Sequence, residues 1–392
     1  MQRSRGNGRN EFFEEQQRQL RQTLTEASLP SAQIERVIAS GYFAWGIRDF
    51  FSTEGRPAVM DSYYGNKTSG LIEVEEFIAY LKEGRARRLP SGVSIYNVRN
   101  IGEALSILGE DQHARFAGRM SFRGQTTDYH ITRPVPNPRA ALADGRERMI
   151  VPSWWRPWIN KDPAERQTGS DRSLFTSSLL SAPLLFRDIP GWQSHLVGAN
   201  GHGGEHQEDC PVCAQMAARE EEHMFSAQTS GEAPLLEQHY GMPTIGLDVT
   251  FDLATAFFFA SHRFPAEGRR VRCEPVDRGS HHGVVYCFVF EWPPVKETEF
   301  LVKDISLFRN LPPLRPIRQH CGLPAFHFNE IAAAGRDLHA VFHLDEAFDM
   351  SGLPSAADLF PGREEDRFYD ALLELRERAP EIWGSIVEYE DL

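Results

Sequence analysis

Residues 247–262, with the sequence LDVTFDLATAFFFASH, contain the signal that decides the fold. The first four residues are typical of the end of a β-strand. Residues 253–262 predict a buried helix because they are rich in alanine and phenylalanine. Asp248 or Thr250 is a candidate cap for the start of this helix. The segment therefore predicts a short strand that leads directly into a helix of the core.

Apolar stretches elsewhere in the chain predict the partners of this strand and helix. Strands are predicted at residues 119–124, 283–290, 300–307 and 340–344, and amphipathic helices at residues 98–108 and 364–378. The predicted strands and helices do not alternate in the regular order of a doubly wound sheet. The pattern favours the α+β class, with a mixed sheet and surrounding helices.

The chain divides into three regions. Residues 1–92 are predicted to form a small helical N-terminal extension, with packing or oligomerisation as its expected role. Residues 93–350 form the main domain, in which the Gly-, His- and Glu-rich residues 198–231 are an insertion. Residues 351–392 are predicted to form a C-terminal helical segment that packs on this domain.

The overall charge limits the kinds of partner that the protein can bind. The 392 residues include 42 basic and 55 acidic side chains, which gives a formal net charge of −13. General nucleic-acid binding is disfavoured because it needs a basic face. A nucleotide remains an acceptable ligand, since it needs only a few well-placed cations.

Segment lengths and cysteine usage predict a cytoplasmic protein that does not enter a membrane. The apolar residues 253–260 are far fewer than the roughly 20 that span a bilayer. Residues 1–10 are not followed by the apolar core of a secretory signal. The five cysteines are few and odd in number, which is typical of a reducing compartment.

The first group of candidate functional residues is Phe-Arg-Gly-Gln at positions 122–125. An arginine at the end of a strand presents its forked guanidinium group, and the glycine after it lets the backbone approach a ligand closely. Such a site suits a pyrophosphate or a carboxylate. The alternative is a structural ion pair made by Arg123.

The second group is Gln238-His239-Tyr240, which a Gly-x-Pro turn at residues 241–243 connects to the strand end at residues 247–250. Capping and core packing are sufficient explanations for the strand end and the helix. They do not explain the three polar residues, because buried polar side chains need hydrogen-bond partners. Gln238, His239 and Tyr240 are therefore candidate binding residues.

Taken in order along the chain, these groups resemble the FRG domain family, which is named for its Phe/Tyr-Arg-Gly motif. The resemblance covers about residues 98–344. This sequence departs from the family pattern at two places. Val249 stands where the family usually has Trp, and Ile245-Gly246 stand where the family usually has Arg-Leu. The matching residues are Phe122-Arg123-Gly124-Gln125, Gln238-His239-Tyr240-Gly241, Pro243-Thr244, Leu247-Asp248, Thr250, Gly283-Val284-Val285-Tyr286 and Arg318-Gln319.

The FRG-like segments are in turn similar in layout to the ADP-ribosyltransferases, which implies a mixed sheet core of that type. The resemblance implies that Arg123 holds the phosphate or ribose of NAD and that Tyr240 stacks on one of its rings. The last catalytic position falls near Gln319, where those enzymes have a Glu. The implied catalytic set is Arg123, Gln319 and Thr250, and the implied ligand-binding set is Phe122, Gly124, Gln125, Gln238, His239, Tyr240, Thr244 and Asp248.

The amide of Gln319 cannot supply negative charge to a developing cation. Candidate substitutes for the missing carboxylate are Glu237, Glu291 and Glu330. The resemblance implies NAD-dependent ADP-ribosyl transfer or NAD cleavage, with NAD as substrate and an unknown macromolecule as acceptor. It also implies a role as a toxin or defence effector. The alternative is a non-catalytic nucleotide-binding or interaction module that lacks the catalytic Glu.

A third group of candidate residues lies in the insertion. Two thiolates and two imidazoles at this spacing can form a tetrahedral zinc site, which would order the insertion rather than carry out chemistry. The alternative is a loop in which these residues occur by chance. The candidate ligands are His202, His206, Cys210 and Cys213, and the remaining cysteines, Cys273, Cys287 and Cys321, are expected to be inert thiols.

Overall fold

The computed structural model describes residues 5–45, 57–64, 71–83, 93–159, 189–191, 210–219, 236–241, 246–277, 283–290, 311–322, 324, 333–378, 380 and 384–390. The helices are α1 Arg5–Glu26, α2 Ser31–Ala39, α3 Val74–Glu83, α4 Ile101–Leu108, α5 Asp111–Ala114, α6 at residues 211–219, α7 Leu253–Ser261, α8 Leu314–Arg318, α9 Ala356–Leu359 and α10 Arg367–Arg378. The strands are β1 Tyr42–Trp45, β2 Ala58–Asp61, β3 Leu71–Glu73, β4 Ser94–Val98, β5 Met120–Gln125, β6 His130–Ile131, β7 Glu147–Arg148, β8 Val249–Thr250, β9 His262–Arg263, β10 Ala266–Glu267, β11 Arg270–Arg272, β12 Glu274–Pro275, β13 Val284–Val289, β14 Cys321–Gly322, β15 Leu338–Leu344 and β16 Glu388–Glu390. Short 3₁₀ helices are Ala117–Arg119, Ser153–Trp158, Leu236–Tyr240 and Ala333–Asp337.

A six-stranded sheet forms the centre of the described fold. Its strand order is β14-β8-β5-β13-β15-β4, and neighbouring strands are antiparallel except β15 and β4, which run parallel. A mixed sheet with helices around it confirms the predicted α+β class. Strand β5 lies between β8 and β13, and Arg123 of β5 pairs with Tyr286 of β13. The sheet therefore places the Arg-Gly motif at its centre.

Helix α7 covers one face of this sheet, and two glycines allow it to pack closely. Its Leu253, Ala256, Phe257 and Ala260 side chains are buried in the core with the sheet, whereas Phe258 packs with Leu359 and Phe360. A Cβ atom at Gly124 would lie 1.9 Å from the carbonyl oxygen of Ala256, and one at Gly283 would lie 2.3 Å from that of Ala260. The glycine after Arg123 is therefore required by helix packing. The close approach that the motif predicts is made by a helix of the same chain.

Helix α7 begins at a cap made by Asp252. The Asp252 carboxylate accepts hydrogen bonds from the amide of Thr255 at 2.8 Å and from its hydroxyl at 2.7 Å. The prediction that Asp248 or Thr250 caps this helix is wrong. Strand β8 ends at Thr250 and the helix begins at Leu253, so the capping position falls on Asp252. The Asp248 side chain is consequently available for contacts outside the helix.

The N-terminal region contains a sheet as well as the predicted helices. The three-stranded antiparallel sheet β1-β2-β3 packs with α1, α2 and α3 around a core that includes Val37, Tyr42 and Phe77. The pattern of residues 1–92 did not predict these strands because each has only three or four residues. The extension is therefore a mixed helix and sheet unit rather than a purely helical one.

A buried ion-pair network joins this region to the segment between β6 and β7. Arg133 donates to both carboxylate oxygens of Asp61 at 2.9 and 2.7 Å, to both of Glu147 at 2.9 Å, and to the Ser40 carbonyl at 2.9 Å. The Arg133 side chain is 4% exposed, and both carboxylates are fully buried. Since every charge finds its counterpart inside the protein, this network is structural.

The C-terminal region contains the helices α9 and α10 and the strand β16, which pairs in parallel with β11. The strand predicted at residues 300–307 lies outside the described residues. Within the described part of the chain, no helix has the length and apolar character needed to cross a membrane.

Candidate functional site

Arg123 lies at the centre of the sheet with part of its guanidinium group unused. Its Nη1 donates a hydrogen bond to the backbone carbonyl of Asp248 at 2.6 Å. Its Nε is buried and has no hydrogen-bond partner among the described residues. Burial lowers the pKa of Arg123, and the charge of Asp248 opposes this change. Because arginine remains charged in proteins, the buried Nε is a cationic donor that no described residue uses.

Two clefts meet at Arg123 and Asp248. The inner cleft has an open volume of about 470 Å³ and the outer cleft one of about 500 Å³. Asp248, next to the start of β8, therefore lines both clefts. The inner cleft is lined by Phe122, Arg123, Gly124, Asp248, Val249, Thr250, Phe259, Gln319 and Cys321, and the outer cleft by Arg123, Pro152, Ser153, Arg156, Gln238, Gly241, Leu247 and Asp248.

Arg156 supplies a second guanidinium group to the outer cleft. It is exposed, and its charge contributes to the lowered pKa of Arg123, which shows that the two cations are close enough to repel each other. Two like charges at one cleft are stabilised when an anion lies between them. Arg156 was not predicted from the sequence, because an arginine between two tryptophans in a Pro-rich stretch matches no motif.

Asp248 supplies a carboxylate at the junction of the two clefts. Its side chain is 35% exposed, and its Oδ1 accepts no hydrogen bond from any described residue. The motif resemblance implies ligand binding at this position, and the candidates for the missing acid are other residues. Of the candidate acids, Glu291 and Glu330 lie outside the described residues, as does the side chain of Glu237.

Thr250 and Gln319 line the inner cleft, and both are held by hydrogen bonds within the protein. The Thr250 hydroxyl donates to the Gln319 carbonyl at 2.7 Å and accepts from the Asp252 amide at 3.0 Å. The Gln319 side chain is buried, and its Nε2 donates to the Leu359 carbonyl at 3.1 Å. Gln319 directly follows α8, whereas the ADP-ribosyltransferase layout implies that the catalytic residue at this position lies on a strand.

His239 connects Asp248 to a thiol in the inner cleft. Its Nε2 lies 3.8 Å from the Asp248 Oδ1, and its Nδ1 lies 3.7 Å from the Sγ of Cys321. The pairing of β14 with β8 sets Cys321 opposite Thr250 and so brings its thiol to the cleft wall. The expectation that Cys321 is an inert core thiol did not take this histidine into account. The structure thus places a thiol, an imidazole and a carboxylate in sequence.

Tyr240 lines neither cleft. It is fully buried, and its hydroxyl donates to Asp366 at 2.7 Å. Its ring packs 4.8 Å from the guanidinium carbon of Arg315 and is stacked with Tyr369. Burial raises the pKa of Tyr240 well above its usual range, so the hydroxyl remains a donor. In this arrangement Tyr240 packs against the C-terminal region, and the predicted stacking on a ligand ring is not available to it.

The remaining predicted residues fall into three groups. Phe122, Gly124 and Gln238 line a cleft, whereas Gln125 lines neither, and Thr244 lies outside the described residues. Cys210 and Cys213 lie at the start of α6 and form no disulfide in the described structure. His202 and His206 lie outside the described residues. Within the part of the chain that the structure describes, no three His, Cys, Asp or Glu residues are grouped to hold a metal ion, which does not support the zinc prediction.

Comparisons of this chain with family models, with curated proteins and with solved structures find no match. The resemblance to FRG domains therefore remains a prediction from the motifs. Function has to be inferred from the chemistry of the two clefts.

Proposed function

We propose that this protein binds NAD across the inner and outer clefts and cleaves its nicotinamide–ribose bond. The ADP-ribosyl group would pass to water or to a macromolecular acceptor. The observation that carries the proposal is that Arg123, whose Nε lacks a partner among the described residues, lines both clefts together with Asp248. The motif resemblance to FRG domains and to the ADP-ribosyltransferase layout supports the same proposal, together with a cytoplasmic location.

Binding would depend on Arg123 and Arg156, which both line the outer cleft. A pyrophosphate offers oxygens on two sides, so two guanidinium groups can each take part of its charge. Ser153 and Gln238 add polar side chains to the same cleft. The anionic part of the ligand would therefore lie between the two cations.

Cleavage would depend on Asp248. When the bond from the ribose C1′ to the nicotinamide nitrogen breaks, its electron pair goes to the ring and the ribose becomes cationic. A carboxylate beside that carbon stabilises the cation until a nucleophile attacks it. The Asp248 side chain is 35% exposed and lines both clefts, which supports this role, and its charge would compensate for the missing charge at Gln319.

A non-catalytic nucleotide-binding module is the second candidate function, and the burial and hydrogen bonding of Gln319 favour it. Its side chain is buried, carries no charge, and already donates from Nε2 to the Leu359 carbonyl. If Asp248 only balances Arg123, the clefts bind a nucleotide without cleaving it.

The test is to incubate the purified chain with NAD and to follow free nicotinamide by mass spectrometry, with NAD binding measured by calorimetry on the same samples. Arg123→Ala should abolish both signals. Asp248→Asn, which keeps the shape and removes the charge, should lower nicotinamide release by about 100-fold or more while retaining binding. Arg263→Ala removes a cation that lies outside both clefts and should behave as the unmodified protein.

Three outcomes are distinguishable. Release of nicotinamide that depends on Arg123 and Asp248 supports the enzyme. Binding without release supports the nucleotide-binding module and rejects cleavage. Neither binding nor release from the unmodified chain rejects NAD as the ligand.

A further inference from the structure

Cys321 differs from an ordinary core cysteine in its surroundings. It is only 4% exposed, yet it lines the inner cleft together with Arg123. Its Sγ lies 3.7 Å from the Nδ1 of His239, within the range of a hydrogen bond to sulfur. A thiol that borders a cavity and contacts an imidazole can lose its proton to that imidazole.

The His239 ring is oriented to accept this proton. It is 6% exposed, and its second nitrogen lies 3.8 Å from the Asp248 carboxylate. A carboxylate on the far side of an imidazole stabilises the imidazolium that forms when the ring takes up a proton. Thiol, imidazole and carboxylate therefore form a continuous series from Cys321 to Asp248.

Arg123 adds a positive charge to the same cavity. It faces the inner cleft with Cys321, and the charge of the Cys321 thiolate raises the pKa of Arg123 against the effect of burial. The same attraction favours the thiolate over the thiol. Two cationic groups, the His239 imidazolium and the Arg123 guanidinium, would then face one sulfur.

Two other cysteines provide the contrast. Cys287 is buried in the apolar core, and burial raises the pKa of its thiol to about 12. Cys273 is half-buried, and burial together with the charge of Glu274 raises its pKa to about 11. These environments keep both thiols protonated, although Cys273 is the more accessible of the two.

We propose that Cys321 is a reactive thiol that is oxidised by small hydroperoxides entering the inner cleft, with His239 as the base and Asp248 as the residue that positions it. The Sγ proton passes to His239, and the thiolate attacks the nearer peroxide oxygen. The O–O bond breaks, and the leaving oxygen takes the proton from His239 and departs as an alcohol or water. Sulfur is oxidised to a sulfenic acid as the peroxide is reduced. This site does not depend on NAD being the ligand of the clefts.

Gln319 opposes this reaction and so provides an internal check. Its Oε1 lies 3.7 Å from the Cys321 Sγ and competes with the His239 Nδ1 for the single S–H proton, and the contact with Oε1 stabilises the protonated thiol. A carbonyl oxygen facing a thiolate would be repelled by its charge. Replacing Gln319 by leucine should therefore make Cys321 more reactive, whereas replacing His239 should make it less so.

The experiment treats the reduced full chain with limiting hydrogen peroxide and then unfolds it in an alkylating reagent, so that peptide mass spectrometry reads the remaining free thiol at each cysteine. We expect Cys321 to be oxidised about ten-fold faster than Cys273 or more. His239→Gln and Asp248→Asn should remove that difference, and Gln319→Leu should enlarge it. His262→Gln is the matched control, since His262 lies at the end of α7 and lines neither cleft.

The proposal is overturned if Cys321 in the unmodified chain reacts no faster than Cys273, a comparison that needs no variant to fold. It is also overturned if His239→Gln, with an unchanged circular dichroism spectrum, leaves the rate at Cys321 as it was. Failure of NAD to bind has no bearing on either result.

Discussion

Two arginines of the described fold, the buried Arg133 and the half-buried Arg123, differ in how completely their guanidinium groups are paired within the protein. Arg133 directs its guanidinium nitrogens at two carboxylates and a carbonyl, and all of these acceptors belong to the protein. Arg123 makes one hydrogen bond to a carbonyl, and its buried Nε has no partner in the described part of the chain. The guanidinium group of Arg133 is paired within the protein, whereas that of Arg123 keeps a nitrogen without a partner in the described residues, which the proposed function assigns to a ligand site.

The difference follows from where each arginine lies. Arg133 lies between two elements that both contribute acids, and no cleft that we describe reaches it. Arg123 lies on a central strand whose neighbour, β8, is only two residues long, so the sheet leaves open space at that point. The half-buried Arg123 borders open space and Arg133 does not, and this difference is the basis for proposing a ligand site at Arg123 alone.

The largest expected loss of stability comes from removing the cation of the Arg133 ion-pair network. Arg133→Met keeps much of the side-chain volume but leaves Asp61 and Glu147 buried without a cation, which should lower the free energy of unfolding by about 3–5 kcal/mol. Urea unfolding followed by circular dichroism measures this change. Arg146→Ala, which removes an exposed arginine from the same segment, should leave the midpoint unchanged. A loss below about 1 kcal/mol for Arg133→Met would show that the network is not a structural ion pair.

A smaller effect is expected from the packing that supports Arg123. Gly124→Ala would place a methyl group against the Ala256 carbonyl and should lower the free energy of unfolding by about 1–3 kcal/mol. Gly118→Ala is the control, because a Cβ there meets nothing within 4 Å and its change should stay within about 0.5 kcal/mol. Equal midpoints for the two variants would mean that α7 can move away from β5 at no cost.

The central elements of the fold were predictable from the sequence. The strand ending in Arg123-Gly124, the buried helix α7 and the strands β13 and β15 lie where their apolar patterns predicted them. The Arg133 network was not predictable from the sequence. Asp61 lies 72 residues from Arg133, and nothing in the sequence shows which of the many acidic residues an arginine pairs with. The contact between His239 and Cys321 joins residues 82 positions apart through the pairing of two very short strands. The local sequence pattern therefore predicted strand β5, but the residues that lie next to Arg123 are known only from the pairing of the strands.

The smallest effect concerns a third kind of buried polar site, a pair of histidines without a compensating carboxylate among the described contacts. His113 Nδ1 lies 2.8 Å from His339 Nε2. Burial lowers the pKa of His339, and the charges of His113 and Arg115 lower it further. Since the folded-state pKa is below that of the unfolded chain, the unfolded chain takes up the proton first, and stability is lost as the pH falls below about 6.5.

Thermal unfolding at several pH values between about 7.5 and 5.5 tests this contribution. The unmodified chain should lose stability over that interval, and His339→Gln should lose less. His320→Gln, an exposed histidine, should follow the unmodified chain. A His339→Gln curve with the same pH dependence as the unmodified one would assign the loss to other groups.

The most direct test of the difference between the two arginines measures NAD binding and unfolding on the same Arg123→Ala protein. Calorimetry should show that NAD binding is lost, while the free energy of unfolding falls by only about 1 kcal/mol, the value of one hydrogen bond. That combination would identify Arg123 as a ligand-binding residue. Retained NAD binding, or a loss of stability as large as that of Arg133→Met, would contradict it.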